Sequence, residues 1–182
     1  MYQSRTETEM PPLIQTDRLH LRLLRDDDAD AAGMLALLNE PGFHEFIADR
    51  GVRTLEQARD YIRKGPFASY AANGFGMYVI ERRGDGAWMG NAGLVRRDGL
   101  VHVDVGYALL GEFTGQGYAL EAARGVVKHA REALGIATLC AIVSKGNARS
   151  VGLLEKLGFV ADGVTRLPGK DEDVLLFLLE KA

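Results

Sequence analysis

Apolar and polar residues alternate from Arg18 to Leu24, where RLHLRLL puts Leu19, Leu21 and Leu23 on one face, the pattern of a half-buried strand. The acidic run DDDAD at 26–30 follows, and apolar residues then recur at Met34, Leu35 and Leu38 with helical spacing. Aspartate at a helix start satisfies free N–H groups and opposes the positive end of the dipole, so capping explains this run better than cation binding. PGFHEFIADRG is expected to be a loop or a short turn of helix. Thr54 caps a second helix to about Lys64, which Gly65-Pro66 should interrupt before 67–73.

The centre of the chain reads as β. FGMYVIER (75–82), AWMGNAGLVRR (87–97) and LVHVDVGYALL (100–110) predict an antiparallel meander. Asp98-Gly99 joins the last two in the manner of a tight I′ turn. A helix over 117–134 carries Ala119, Ala122, Ala123, Val126, Val127, Ala130 and Leu134 on one face. TLCAIV (138–143) is wholly apolar, as expected of a strand covered on both sides. A helix from about Ala148 to Leu157 stops at Gly158-Phe159, and strands near 159–166 and 173–180 flank PGKDED. The order predicts an α/β fold: one mixed, mostly antiparallel sheet with a single strand–helix–strand crossover and no internal repeat.

Composition adds bounds. With 47% hydrophobic and 26% charged residues and a net charge of −3, the chain has the balance of an ordinary globular domain without the basic excess of a nucleic-acid or anionic-membrane binder. The single cysteine, Cys140, fits a reducing cytoplasm. No apolar run nears the roughly 20 residues of a membrane span, and MYQSRTETEMPP lacks the apolar core of a signal peptide. The expectation is a cytoplasmic protein with a flexible N-terminus over 1–12 and one domain over 13–182.

The segment FTGQGYALEAARG places Gly115 and Gly117 where the helix begins. A helix N-terminus offers unpaired N–H groups and partial positive charge, and phosphate binds there when the backbone can come close. A plain tight turn is the competing explanation. No GK[ST] follows, against a P-loop, and Leu120 stands where a dinucleotide fingerprint needs Gly or Ala.

GQGYALEAA after VGYALL resembles the acyl-CoA loop of the GCN5-related N-acetyltransferase (GNAT) family. NARSVGLLEKLGF, Asn147 to Phe159, resembles that family's next motif, Asn-x-x-Ser with a helix ending in Lys-x-Gly-Phe. QTDRLHLRLLRDDDADA resembles the opening of the subgroup that contains bacterial ribosomal-protein N-terminal acetyltransferases. The resemblance runs from about Leu13 to the C-terminus. It implies about seven strands flanked by about four helices, acetyl-CoA as cosubstrate and no metal. It also implies that the backbone amides of Thr114, Gly115, Gln116, Gly117, Tyr118 and Ala119 hold the pyrophosphate, the glycines clearing space for it. Thr114 departs from the family's Gln or Arg. Tyr107, Ala108 and Leu109 match the strand end that pairs with the pantetheine arm and steadies the thioester oxygen, and Asn147 matches a contact to that arm.

Acetyl transfer to an amine needs a neutral amine, a polarised carbonyl and a thiolate able to leave. On 100–106, His102 and Asp104 share a face with Gly106, opposite Val101, Val103 and Val105. Asp104 is the first candidate base, since the resemblance places an acidic residue there. His102 is the second, because imidazole titrates near neutrality. Ser150 matches the subgroup's serine and is the candidate donor to the thiolate, while the family's usual tyrosine is replaced by Leu154. Ser150 and Asn147 also make sense as helix-start residues alone. Cys140, inside an apolar strand, lacks the exposure of a nucleophile. By the resemblance His44 lies in a loop that edges the acceptor site, though a plain surface histidine explains it better; Asp171-Glu172-Asp173 is either an attractor for a cationic amine or a solvated turn, and nothing among the histidines and Cys140 is spaced like a metal site. The subgroup resemblance implies a peptide or protein N-terminus as acceptor, with a small amine such as a polyamine or aminoglycoside as the alternative. A non-catalytic acyl-CoA-binding module is the reading outside enzymes. Self-association into a homodimer stays open.

Overall fold

Val79 is buried in one core and its neighbours Tyr78 and Ile80 in another, so both faces of the central sheet are covered. That two-sided burial is why the strand reads as a nearly unbroken apolar run. The structure is a computed structural model that describes residues 11–181. Most of the N-terminal segment expected to be flexible, 1–10, lies outside the described residues.

Eight strands form one sheet in the order β1-β2-β3-β4-β5-β6-β8-β7. They are β1 Ile14–Gln15, β2 Leu19–Arg22, β3 Met77–Arg82, β4 Trp88–Val95, β5 Val103–Leu109, β6 Leu139–Ser144, β7 Val160–Thr165 and β8 Val174–Leu179. Every pairing is antiparallel except β5 with β6, which are parallel and joined by the predicted crossover helix. The α-helices are α1 Asp28–Leu38, α2 Pro41–Phe46, α3 Leu55–Ile62, α4 Ala68–Asn73, α5 Tyr118–Glu132 and α6 Ala148–Lys156. On one face α5 packs Ala122, Val126 and Ala130 against Leu94, Val105 and Leu139; on the other, α1 and α3 cover Val79 with Met34, Leu38, Ala58 and Ile62. Asp27 and Thr54 cap α1 and α3 as their types predict, accepting from the backbone N–H groups of Asp30 and Gln57. None of these helices is long and apolar enough to cross a membrane.

The mixed, mostly antiparallel architecture agrees with expectation, and four details differ. The counts rise to eight strands and six α-helices because β1 is only two residues long and the 41–73 region divides further. Gly65-Pro66 does not break the helix: Arg63–Phe67 forms one π turn between α3 and α4, and the wider turn takes in a proline ring that has no N–H to give. Leu23 is 38% exposed, because β2 ends at Arg22 and the chain turns Leu24 into the α1–α3 core instead. The β4–β5 connection is not a I′ turn, since only Gly99 has positive φ (86°) and no non-glycine residue does. That looser turn delays β5 to Val103, leaving Val101 89% exposed rather than on the core face.

Candidate active site

β5 and β6 pair at only two positions, Val103 with Leu139 and Asp104 with Cys140, although β5 continues to Leu109 and β6 to Ser144. Each is held firmly on its other side, β5 by β4 and β6 by β8, so beyond Asp104 the two strands part into a wedge-shaped cleft. The Leu110 N–H bonds to Met89 O of β4 at 2.9 Å. By strict alternation along a strand, the backbone groups of Tyr107 and Leu109 therefore face the opening, while those of Ala108 face β4. A sheet edge inside a molecule with no strand on it is a row of donors and acceptors awaiting a partner.

The start of α5 lies just beyond that edge. Gly115 and Gly117 have φ of 74° and 83°, the left-handed region that glycine alone enters freely. A Cβ at Gly115 would meet nothing within 4 Å, and one at Gly117 only Nη2 of Arg18 at 3.3 Å. Within the protein, then, the glycines supply conformation rather than clear space. Asp27, Thr54 and Asn147 cap α1, α3 and α6, yet no side chain caps α5, the longest helix of all. The side chains of Thr114 and Gln116 turn back to donate to Gly111 O (2.8 Å) and Glu112 O (3.0 Å). The N–H groups from Gly117 to Leu120 are thus without a partner among the described residues, the condition under which a helix start can hold an anion. Tyr118 is buried and Ala119 half-buried.

Arg18, which had no sequence signal beyond its place in a strand pattern, shapes this loop from about 100 residues away. Its Nε donates to Glu121 Oε2 at 2.6 Å, its Nη1 to Gln116 O at 3.1 Å, and its guanidinium lies 4.3 Å from the centre of the Tyr118 ring. C=O and N–H of one peptide plane point in opposite directions. With the Gln116 carbonyl turned to Arg18, the Gly117 N–H is turned away from it.

Asp104 sits at the vertex of the cleft and is 2% exposed. Its Oδ2 accepts from Arg97 Nε at 2.6 Å, and its Oδ1 is buried without a hydrogen-bond partner. Burial pushes its carboxyl up to about 6, against the opposing pull of the Arg97 guanidinium. His102, placed by sequence on the same strand, lies before β5 begins; its imidazole makes no hydrogen bond among the described residues. Its carbonyl accepts from the Cys140 thiol at 3.2 Å. That thiol is buried and pushed up to about 12 by burial, which leaves it protonated and inert.

Across the cleft, Asn147 Oδ1 caps α6 by accepting from Ser150 N at 3.2 Å. Ser150 Oγ lies 2.6 Å from the Tyr107 hydroxyl, a contact that spans from β5 to α6. Sequence had singled out only the backbone at Tyr107. Leu154 is wholly buried in the α5-side core. α2 straps the mouth of the cleft: Glu40 Oε1 accepts from Gly111 N at 3.1 Å, and Ser144 Oγ donates to Phe46 O at 2.5 Å. His44, on α2, faces Asp49 with Nε2 3.7 Å from Oδ1. Below it is a cleft of about 290 Å³ lined by Glu45, Ser144, Lys145, Glu172, Asp173 and Val174, with Asp173 bound to Arg166 at 2.8 Å. Asp171 is not among the lining residues.

Comparison with known proteins gives this arrangement a family. The acetyltransferase (GNAT) domain model matches residues 18–160. YoaA of Bacillus subtilis (strain 168), described as an uncharacterized N-acetyltransferase, is 31% identical over 86% of this chain and 88% of its own. The fold matches an acetyltransferase from Agrobacterium tumefaciens (24% identity, TM-score 0.75, 99% of this chain and 100% of the other). It also matches RimL, a ribosomal L7/L12 α-N-protein acetyltransferase solved with coenzyme A (18% identity, TM-score 0.76, 91% and 96%). A sheet parted between two parallel strands beside an uncapped glycine-led helix, together with these matches, shows that the chain belongs to the GNAT family of acetyltransferases.

Proposed function

We propose that this protein moves an acetyl group from acetyl-CoA to a primary amine, by direct attack while both substrates are bound. The parting of β5 from β6 beyond Asp104 carries the reading, because it leaves a strand edge free for an extended amide-bearing arm. The pyrophosphate then lies on the free amides of Gly115–Ala119, without the expected Thr114 N–H, which donates to Gly111 O at 3.2 Å; Asn147 lies beside the arm. The backbone N–H of Tyr107 or Leu109 polarises the thioester carbonyl, in the manner of an oxyanion hole. Asp104 takes the proton the amine loses, directly or through water; its carboxyl at about 6 is ionised yet basic enough near neutrality. The buried, protonated Cys140 argues against a covalent acetyl-enzyme.

The acceptor is a peptide or protein N-terminus. An α-amine with a pKa of about 8 is far easier to present neutral than a lysine near 10.4. The cleft under α2 favours a cation on approach: Arg166 and Lys145 both reach Asp173, at 2.8 and 4.0 Å, which leaves the carboxylates of Glu45 and Glu172 without an ion-pair partner among the described residues. The same excess of carboxylates supports a second reading, a polyamine or other small amine with several charges. Acetyl-CoA-dependent release of thiol decides between them, over peptides with free and blocked N-termini, lysine, spermidine and an aminoglycoside. Release with free-N-terminal peptides alone is expected. Release with spermidine alone would move the acceptor to small amines, and acetyl-CoA binding without any release would favour a non-catalytic binding module.

Arg18→Met is expected to weaken acetyl-CoA binding about fivefold, roughly 1 kcal/mol, with little change in kcat at saturation. The variant keeps an unbranched chain but removes the guanidinium that lies over Tyr118 and bonds Gln116 O, and so frees the Gln116–Gly117 peptide to turn. Titration calorimetry reads the affinity; an unchanged Kd would remove Arg18 from the loop's function.

A further inference from the structure

The hydroxyls of Tyr107 and Ser150 are 2.6 Å apart across the cleft, close enough for either to donate to the other. Chemistry decides it. The phenol is the stronger acid of the two, and its only other hydrogen-bond partner among the described residues, the Ser150 carbonyl at 3.5 Å, is an acceptor as well. Tyr107 therefore donates and Ser150 Oγ accepts. Ser150 makes no side-chain hydrogen bond to any other group, so its own O–H has no acceptor among the described residues. It stands in the first turn of α6, where the helix dipole favours negative charge, facing the free edge of β5.

Resting on the acetyl-transfer reading above, we propose that Tyr107 is a positioning residue: it holds Ser150 so that the serine O–H points into the cleft and hydrogen-bonds the coenzyme sulfur as it departs. The amine nitrogen bonds to the acetyl carbon, the C–S bond breaks with its electron pair on sulfur, and the amine's surplus proton passes to Asp104. That proton reaches the sulfur by way of solvent, so the products are amide and free thiol. The hydroxyl pair lends hydrogen bonds and keeps its protons. Burial holds the Tyr107 phenol at about 12, well above a thiol at roughly 8.5, so proton transfer from it would run uphill. A thiolate that accepts a charge-assisted hydrogen bond is a better leaving group without being protonated.

The test is the ionisation of bound CoA thiol, followed by ultraviolet thiolate absorbance against pH, in the wild type, Tyr107→Phe, Ser150→Ala and the double variant. Each single variant is expected to raise the thiol pKa by about one unit and to lower kcat about tenfold, while CoA affinity stays within about twofold. Because the two act as one device, the double variant should do no more than the worse single, and Ser150→Thr should restore most of the rate. Folded Tyr107→Phe that binds CoA, with wild-type thiol titration and kcat, overturns the proposal; so do losses that multiply in the double variant. A wild-type protein that fails to bind CoA would instead defeat the reading of the cleft as a coenzyme site.

Discussion

Asp104→Asn is expected to lower kcat by about 10² to 10⁴, the usual worth of a general base, and to leave acetyl-CoA affinity intact. In the wild type kcat should rise with pH through about 6, as the Asp104 carboxyl loses its proton. The variant should lack that limb. The same substitution is expected to raise stability. The Asp104 carboxyl stands at about 6 in the folded chain against an ordinary 3.8, mainly because it is buried. Between those values the folded protein holds a proton that the unfolded chain has released, so stability falls as pH rises through the window. The full loss is about 3 kcal/mol. Asparagine is neutral throughout and keeps an oxygen for Arg97. Its melting temperature should exceed the wild type's by several degrees at pH 8, and the two should converge near pH 4. A gain in stability with a loss of rate is what a strained functional carboxylate gives. Retained kcat would pass the role to another group, His102 first. Lost stability at pH 8 would make Asp104 and Arg97 a structural ion pair.

The sequence carried the sheet because its pattern is local. The near-continuous apolar runs in 75–82, 87–95 and from Leu139 each report burial that neighbouring residues share. The capping aspartate and threonine, Asp27 and Thr54, act within three residues of themselves and were legible for the same reason. Where reading failed, the deciding contact was distant or the local rule had an exception. Pro66 ends most helices, but here a widened turn absorbs it. Val101 and His102 belong to the alternating stretch VHVDV, yet the turn at Gly99 releases them before the sheet begins. In the candidate site, the glycine loop, Asp104, Asn147 and Ser150 carry sequence signals that are local: a motif, a strand face and a helix start. Arg18 carries none, since its partners Gln116 and Glu121 are separated from it by about a hundred residues. Arg97 had a weak signal: across the β4–β5 hairpin, only the register reveals that it reaches Asp104. The Tyr107 hydroxyl was hidden by the interest of its backbone.

Gly117→Val is expected to weaken acetyl-CoA binding at least tenfold, about 1.4 kcal/mol or more, in a protein that still folds, since the loop is exposed and outside both cores. Two mechanisms would give that loss. A valine side chain could stand in the path of the pyrophosphate, or it could deny the backbone its φ of 83° and swing the Gly117 N–H out of aim. The geometry favours the second, because a Cβ there heads toward Arg18, on the side of the loop to which the Gln116 carbonyl already points. Alanine and asparagine separate the two. Asparagine is the larger but tolerates the left-handed region, whereas alanine is small and resists it. If conformation governs, Gly117→Asn should bind acetyl-CoA more tightly than Gly117→Ala, with Val weakest. If bulk governs, the order of the first two reverses, because each added atom stands further into the path of the phosphate. Equal affinity in all three would mean that no anion rests on this helix start.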